Sequence, residues 1–231
     1  MDNALIPFGY YLVLKTHTKD MPPCCPQEYF SIAGCLCEGL IPDSDNISPS
    51  EFDSERFGAR WRITPECARE LCRFNHGPEA HINYYLLNYM SFEVARQVKQ
   101  TFFAGRNDVL LIGVGVLDSD LLAIPDLRYT SPLPGNGTFL GFDLYEIGDA
   151  MPESEDRKKP DYATLHTYGL GCTIACCDPN GEIPKRLGIR MTRFGFYPSA
   201  EDAVRAADLV NREHLGEPLW HLPLALIEYQ A

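Results

Sequence analysis

Nine cysteines and six histidines are the side chains of this 231-residue chain most able to do chemistry. Cys35-Leu-Cys37 and the group Cys172, Cys176 and Cys177 are close-set thiols that could meet Cys24 or His17 around a metal. Structural zinc sites are usually built from two chelating pairs, each with about two to four residues between its ligands. Cys-x-Cys is tighter than that, and the second group lies far away in the chain. Reduced, packed thiols fit the pattern better, above all Cys67 and Cys72 in a helix-like stretch. A catalytic cysteine needs a histidine base beside it. His166 precedes Cys172 by six residues, but nothing in the spacing selects one partner from His17, His76, His81, His166, His214 and His221. Carboxylate pairs for acid–base work are equally unselected, because 32 acidic residues make chance pairs common.

The remaining motifs are incomplete. The chain has no Walker-type phosphate loop, no nucleophile elbow and no H-E-x-x-H helix. Gly113-Val-Gly115 lacks the third glycine of a dinucleotide fingerprint and reads as glycine in a tightly packed central strand. Asp43-Ser-Asp45-Asn-Ile47 opens like a calcium loop. Ser48 then stands where the turn needs glycine, and Ser54 where a bidentate Glu is needed. The sequons at Asn46 and Asn136 read as turn residues. The chain is therefore expected to hold no cofactor and no metal, and to have no catalytic residues.

Charge is the stronger signal. The formal net charge is −12, unevenly placed. Residues 1–56 hold three Lys/Arg against nine Asp/Glu, and residues 118–161 hold four against ten. Residues 57–117 between them hold seven against five. Such a surface repels nucleic acid and anionic membrane and speeds encounter with a basic protein. The longest apolar run, Val109 to Leu117, is nine residues, where a membrane-spanning helix needs about 20. The N-terminus carries no basic, apolar leader, so a cytoplasmic protein with free thiols is expected.

The elements that would position these residues can be read from breakers and periodicity. Strands are expected at Pro7–Thr16, around Tyr29–Leu36, at Val109–Leu117 (continuous apolar, buried on both faces), from Thr138, and at Leu219–Tyr229, where Pro223 weakens the strand or forces it to an edge. Helices are expected from Thr64-Pro65 to Asn75, from Ser91 to about Ala104, and from Ser199 to Gly216, the last with an apolar stripe of Val204, Ala207 and Val210 or His214. Residues 20–58 and 148–161 read as long acidic loops. Strands and helices do not alternate, so the expectation is a single α+β domain over 1–231, with a mixed or antiparallel sheet and about three helices packed on it.

In the C-terminal half, Gly141-Phe-Asp143 sits in a strand and is followed by Tyr168-Gly-Leu-Gly-Cys172. Arg193-Phe-Gly195-Phe196 then leads into Ser199-Ala-Glu-Asp-Ala203, and a strand opens at Trp220. This layout, over roughly 138–229, resembles bacterial toxin-immunity proteins. The resemblance implies an antidote that binds a cognate toxin or effector, often one delivered by a type VI secretion system, with no shared catalytic residue. A nuclease, basic because it holds nucleic acid, is a natural target. Charge and loop position nominate Asp43, Asp45, Glu51, Asp53, Glu55, Glu153, Glu155 and Asp156 as partner-binding residues, with Phe52, Phe57, Trp61 and Tyr145 as aromatic anchors beside them. The oligomeric state is left open. Two alternatives also stay open: an enzyme using Cys172 or His166, and a phage or secretion scaffold.

Overall fold

The apolar run Val109–Val116 forms β4, and all eight of its residues are buried, as a strand flanked on both sides and covered on both faces requires. The computed structural model describes residues 5–15, 52–83, 86–147, 159–163, 178, 181–215 and 219–230. Around β4 lie β1 (Ile6–Leu14), β2 (Ile82–Asn83), β3 (Asn88–Tyr89), β5 (Thr138–Ile147) and β6 (Trp220–Tyr229). They form one six-stranded sheet in the order β2-β3-β1-β4-β6-β5. Every pairing is antiparallel. The fold is α+β, as the sequence predicts.

Five α-helices accompany the sheet in the described residues: α1 (Ser54–Trp61), α2 (Pro65–Asn75), α3 (Phe92–Phe102), α4 (Glu182–Leu187) and α5 (Ala200–Glu213). The capping signals read from the sequence are in place. Thr64 accepts from the Cys67 amide at 3.2 Å, Ser91 from Val94 at 3.4 Å and Ser199 from Asp202 at 3.1 Å. None of the helices is long and apolar enough to cross a membrane.

The two sheet faces bury different sets of residues. Tyr10, Leu12, Val109, Leu111 and Tyr229 meet α1, α2 and α3. Farther along the same face, Phe142, Leu144 and Ala225 meet α5 through Ala203, Ala206, Ala207 and Val210. The opposite face carries Ile112, Val114, Val116, Leu224 and Leu226 under Leu121, Ile124 and Leu127, which come from two 3-10 turns, Ser119–Ala123 and Pro125–Tyr129, and from the junction between them. On the first face, Gly113 makes room for the packing against α3. A Cβ there would lie 2.6 Å from the Tyr229 ring and 3.1 Å from Leu133. The space admits an aromatic group in which Phe92 stands 5.5 Å from Tyr10 and 5.0 Å from Tyr229, ring centre to ring centre.

Several expectations are corrected. The segment 20–58 is not loop to its end, because α1 begins at Ser54. Asp53 caps it, accepting from the Arg56 amide at 2.9 Å. Phe57, Trp61 and Tyr145, expected as surface anchors, are core residues at 8%, 0% and 0% exposure. β6 as a whole is not an edge strand, since it pairs with β4 over Leu224–Tyr229 and with β5 on the other side, but at Pro223 itself only β5 is paired. The buried stripe of α5 also differs, because Val204 is 41% exposed and His214 is an exposed C-cap. Ala207 and Val210 are buried as expected, and Ala203 and Ala206 complete the stripe and let the helix sit close to the sheet. The expected strand around Tyr29–Leu36 lies outside the described residues.

Candidate partner-binding cleft

Strands β4 and β6 end unevenly, and the gap between them is a cleft. Their register pairs Val116 with Leu224, the last pair on that side. β6 runs on to Trp220, held only by β5, where Ile147 pairs with Trp220 and Glu146 with His221. Beyond Val116 the chain turns off through Leu117 and Asp118 into the first 3-10 turn. On the open side the Asn211 side chain replaces the missing strand. Its Nδ2 donates to the His221 carbonyl and its Oδ1 accepts from the His221 amide, both at 2.8 Å. Pro223, two residues on, has no N–H to leave unpaired on that side, which is how a proline is tolerated inside the sheet.

The cleft has a volume of ≈ 560 Å³. One wall is α5, from Ala200 to Asn211. The other is the overhang Trp220–Pro223, with Leu117, Asp118 and Lys159 closing the end. Its size lies within the range of small-ligand sites, about 300–1,000 Å³. Lys159 is fully engaged at the rim, 2.8 Å from Asp118 and 2.7 Å from Asp120. Burial works against its ammonium, but the two aspartates more than reverse this, so its pKa lies above the ordinary lysine value. Tyr162 donates to Asp118 at 3.3 Å beneath it. Arg205 is engaged as well, with Asp202 at 3.3 Å and the Leu187 carbonyl at 3.2 Å. Glu201 and Asp208, two helical turns apart with exposed Val204 between them, have no partner among the described residues. The uncompensated charge of the cleft is therefore negative.

His221 forms part of the floor. Its side chain is 0% exposed, and its Nε2 lies 3.3 Å from Oε1 of Glu146, which is 2% exposed. The two residues are cross-strand partners on the face that α5 covers. Neither ring nitrogen of His221 makes a hydrogen bond among the described residues.

Of the eight acids nominated from the sequence, only Asp53 and Glu55 lie among the described residues. Asp43, Asp45, Glu51, Glu153, Glu155 and Asp156 lie outside them, as do Cys172 and His166. Asp53 is exposed but works as a helix cap, and Glu55 is exposed in the first turn of α1. Neither lines the cleft. The acidic segment 118–161 also presents less surface charge than its composition suggests, because Asp143 and Glu146 are buried at 2% and 1% exposure. Sequence reasoning passed over Glu201, Asp208, Asn211 and His221. Only the last left a trace, as a polar residue in the apolar strand Trp220-His-Leu-Pro-Leu.

The described cysteines do not form a reactive centre. Burial pushes both the Cys67 and Cys72 thiols up, away from thiolate. His76 stands one helical turn from Cys72, with Nδ1 3.7 Å from the sulfur, but that nitrogen is 2.8 Å from the Cys72 carbonyl and donates there. No group of three or more His, Cys, Asp or Glu able to hold a metal occurs among the described residues. No protein-family model, curated protein or solved structure matches the chain.

Proposed function

We propose that the protein acts by binding another protein, as the inhibitor of a cognate toxin or effector with a basic surface such as a nuclease, and that it does so in the cytoplasm. The observation that carries this reading is the cleft beside α5, where both cations are already paired and the two unpaired charges, Glu201 and Asp208, are acidic. Electrostatic complementarity of this kind raises association rates and suppresses wrong partners. An exposed sheet edge is a less suitable docking element here. On the cleft side of β6, Asn211 occupies the His221 backbone and Pro223 offers no donor, so strand addition has little to pair with.

The test is co-expression with the product of the adjacent gene, followed by association kinetics. A complex that co-purifies, associates more slowly as salt rises, and associates about tenfold more slowly when Glu201 and Asp208 are both changed to Lys supports the reading. An association rate indifferent to salt and to both substitutions would sink the charge argument. Asp53, although acidic and exposed, is unsuitable for this test, because replacing it removes a helix cap.

One observation favours a second reading. A buried histidine with a carboxylate behind it, on the floor of a cleft, is an arrangement that enzymes use to orient a general base. No Ser, Thr or Cys lines the cleft among the described residues, so such an enzyme would activate water rather than use a side-chain nucleophile. Retention of toxin neutralisation by His221→Gln would exclude a catalytic part for the pair.

A further inference from the structure

We infer that Asn136 is a site of spontaneous modification, in which its side-chain amide is lost by cyclisation onto the Gly137 nitrogen and the ring reopens to aspartate or isoaspartate. The site lies away from the cleft, so the inference does not depend on what the protein binds.

The chain has two Asn-Gly steps, Asn136-Gly137 and Asn180-Gly181. Asparagine before glycine is the pair most open to this reaction, because no side chain shields the attacking nitrogen. The fold treats the two glycine nitrogens differently. The Gly181 amide donates to the Asp178 carbonyl at 2.9 Å. The Gly137 amide has no acceptor among the described residues, and the exposed Asn136 side chain has no partner there either. Asn136 lies in a turn that is fastened on both sides. Before it, the Ser131 and Pro132 carbonyls accept from the Tyr10 hydroxyl at 3.0 and 2.8 Å, and the Pro134 carbonyl accepts from the Tyr229 hydroxyl at 3.1 Å. After it, Thr138 pairs with Glu228 at the start of β5. Asn136 and Gly137 can therefore rotate into the cyclic geometry without breaking a hydrogen bond of the sheet. Packing also holds position 137 to glycine, because a Cβ there would lie 2.2 Å from Ile227 and 2.6 Å from the Tyr229 ring. No larger residue can shield the nitrogen.

The chemistry needs only water and a solvent base. The Gly137 nitrogen gives its proton to the base and bonds to Cγ of Asn136. The bond from Cγ to the side-chain nitrogen breaks, and ammonia leaves after taking a proton from solvent. Water then opens the cyclic imide. Cleavage between the ring nitrogen and Cγ gives aspartate, and cleavage between that nitrogen and the backbone carbonyl carbon gives isoaspartate.

The test follows both asparagines in the whole chain, held in mildly alkaline buffer at physiological temperature, with a parallel sample in urea. Peptide mapping separates asparagine, aspartate and isoaspartate at each site. In the folded protein Asn136 is expected to convert at least about fivefold faster than Asn180, the factor set by one tied amide. Isoaspartate should form alongside aspartate, and in urea the two rates should converge, because the residue pair is the same. The inference is overturned if Asn136 reacts in urea but stays intact in the folded protein, if folded Asn180 reacts as fast, or if the same ratio persists in urea. Aspartate without isoaspartate would also overturn it, since that means direct hydrolysis with no attack by the Gly137 nitrogen.

Discussion

Asp143 gives a quantitative handle on the sheet. It lies in β5 at 2% exposure, with Oδ1 accepting from the Leu144 amide at 2.8 Å and Oδ2 lacking any hydrogen-bond partner. Burial pushes its carboxyl from 3.8 up to about 7, against the opposing pull of the Leu144 amide and the Tyr145 side chain. The sign of the linkage follows. Below the unfolded value both states hold the proton. As pH rises the unfolded chain releases it first, so stability falls until the folded group ionises near 7, and is flat above that. A gap of about three pH units at about 1.4 kcal/mol each makes the loss about 4 kcal/mol. Asp143→Asn keeps the shape and the Leu144 hydrogen bond but cannot ionise. In urea unfolding at pH 4, 5.5 and 8, the stability of the variant relative to the parent should rise by about 4 kcal/mol across the series. Taking the difference cancels the other titrating groups, and any fixed cost of the buried amide is the same at each pH. A difference that stayed level from pH 4 to pH 8 would refute the claim that folding raises this carboxyl.

Three further substitutions test the packing. Asn211→Ala leaves the buried His221 amide and carbonyl without partners. It should cost about 2–4 kcal/mol, seen as a fall of about 5–10 °C in thermal unfolding; an unchanged midpoint would mean that water replaces the side chain without loss. Tyr197 is 1% exposed, and its hydroxyl has no hydrogen-bond partner. Tyr197→Phe should therefore be neutral or stabilising by about 1 kcal/mol in urea unfolding, whereas a clear loss would show that the hydroxyl is satisfied. Gly113→Ala drives a methyl into the Tyr229 ring and should cost about 1–3 kcal/mol. A denaturation midpoint equal to the parent's would show that the aromatic group can shift.

The frame was legible in the sequence where local chemistry decides the outcome. Thr64, Ser91 and Ser199 announce their helices because a hydroxyl at the N-cap satisfies an amide that is otherwise unpaired. Val109–Val116 announces a central strand because a short, continuous apolar run between polar breakers suits a strand buried on both faces. α1 was passed over because its signal is only eight residues long and lies at the end of an acidic, proline-rich stretch. The two-residue strands β2 and β3 carry no period to detect. Asp143 and Glu146 were counted as surface charge because composition does not record burial. The cleft was not legible at all. It joins residues 117–118, 159, 200–211 and 220–223, and it exists only because two neighbouring strands stop at different places.

That uneven ending separates what the chain must keep from what it is free to change. The pairing of β4 with β6 is set by Leu111–Val116 against Leu224–Tyr229, and none of those residues lines the cleft, which begins at the neighbouring Pro223. The exposed flank of α5 and the turn after Val116 carry no strand pairing. Substitutions at 117, 201, 204 and 208, or a residue added after Val116, would alter the depth and charge of the cleft while the sheet kept its register. One sheet can in this way carry clefts of different depth and charge, since each change needs only a few surface exchanges.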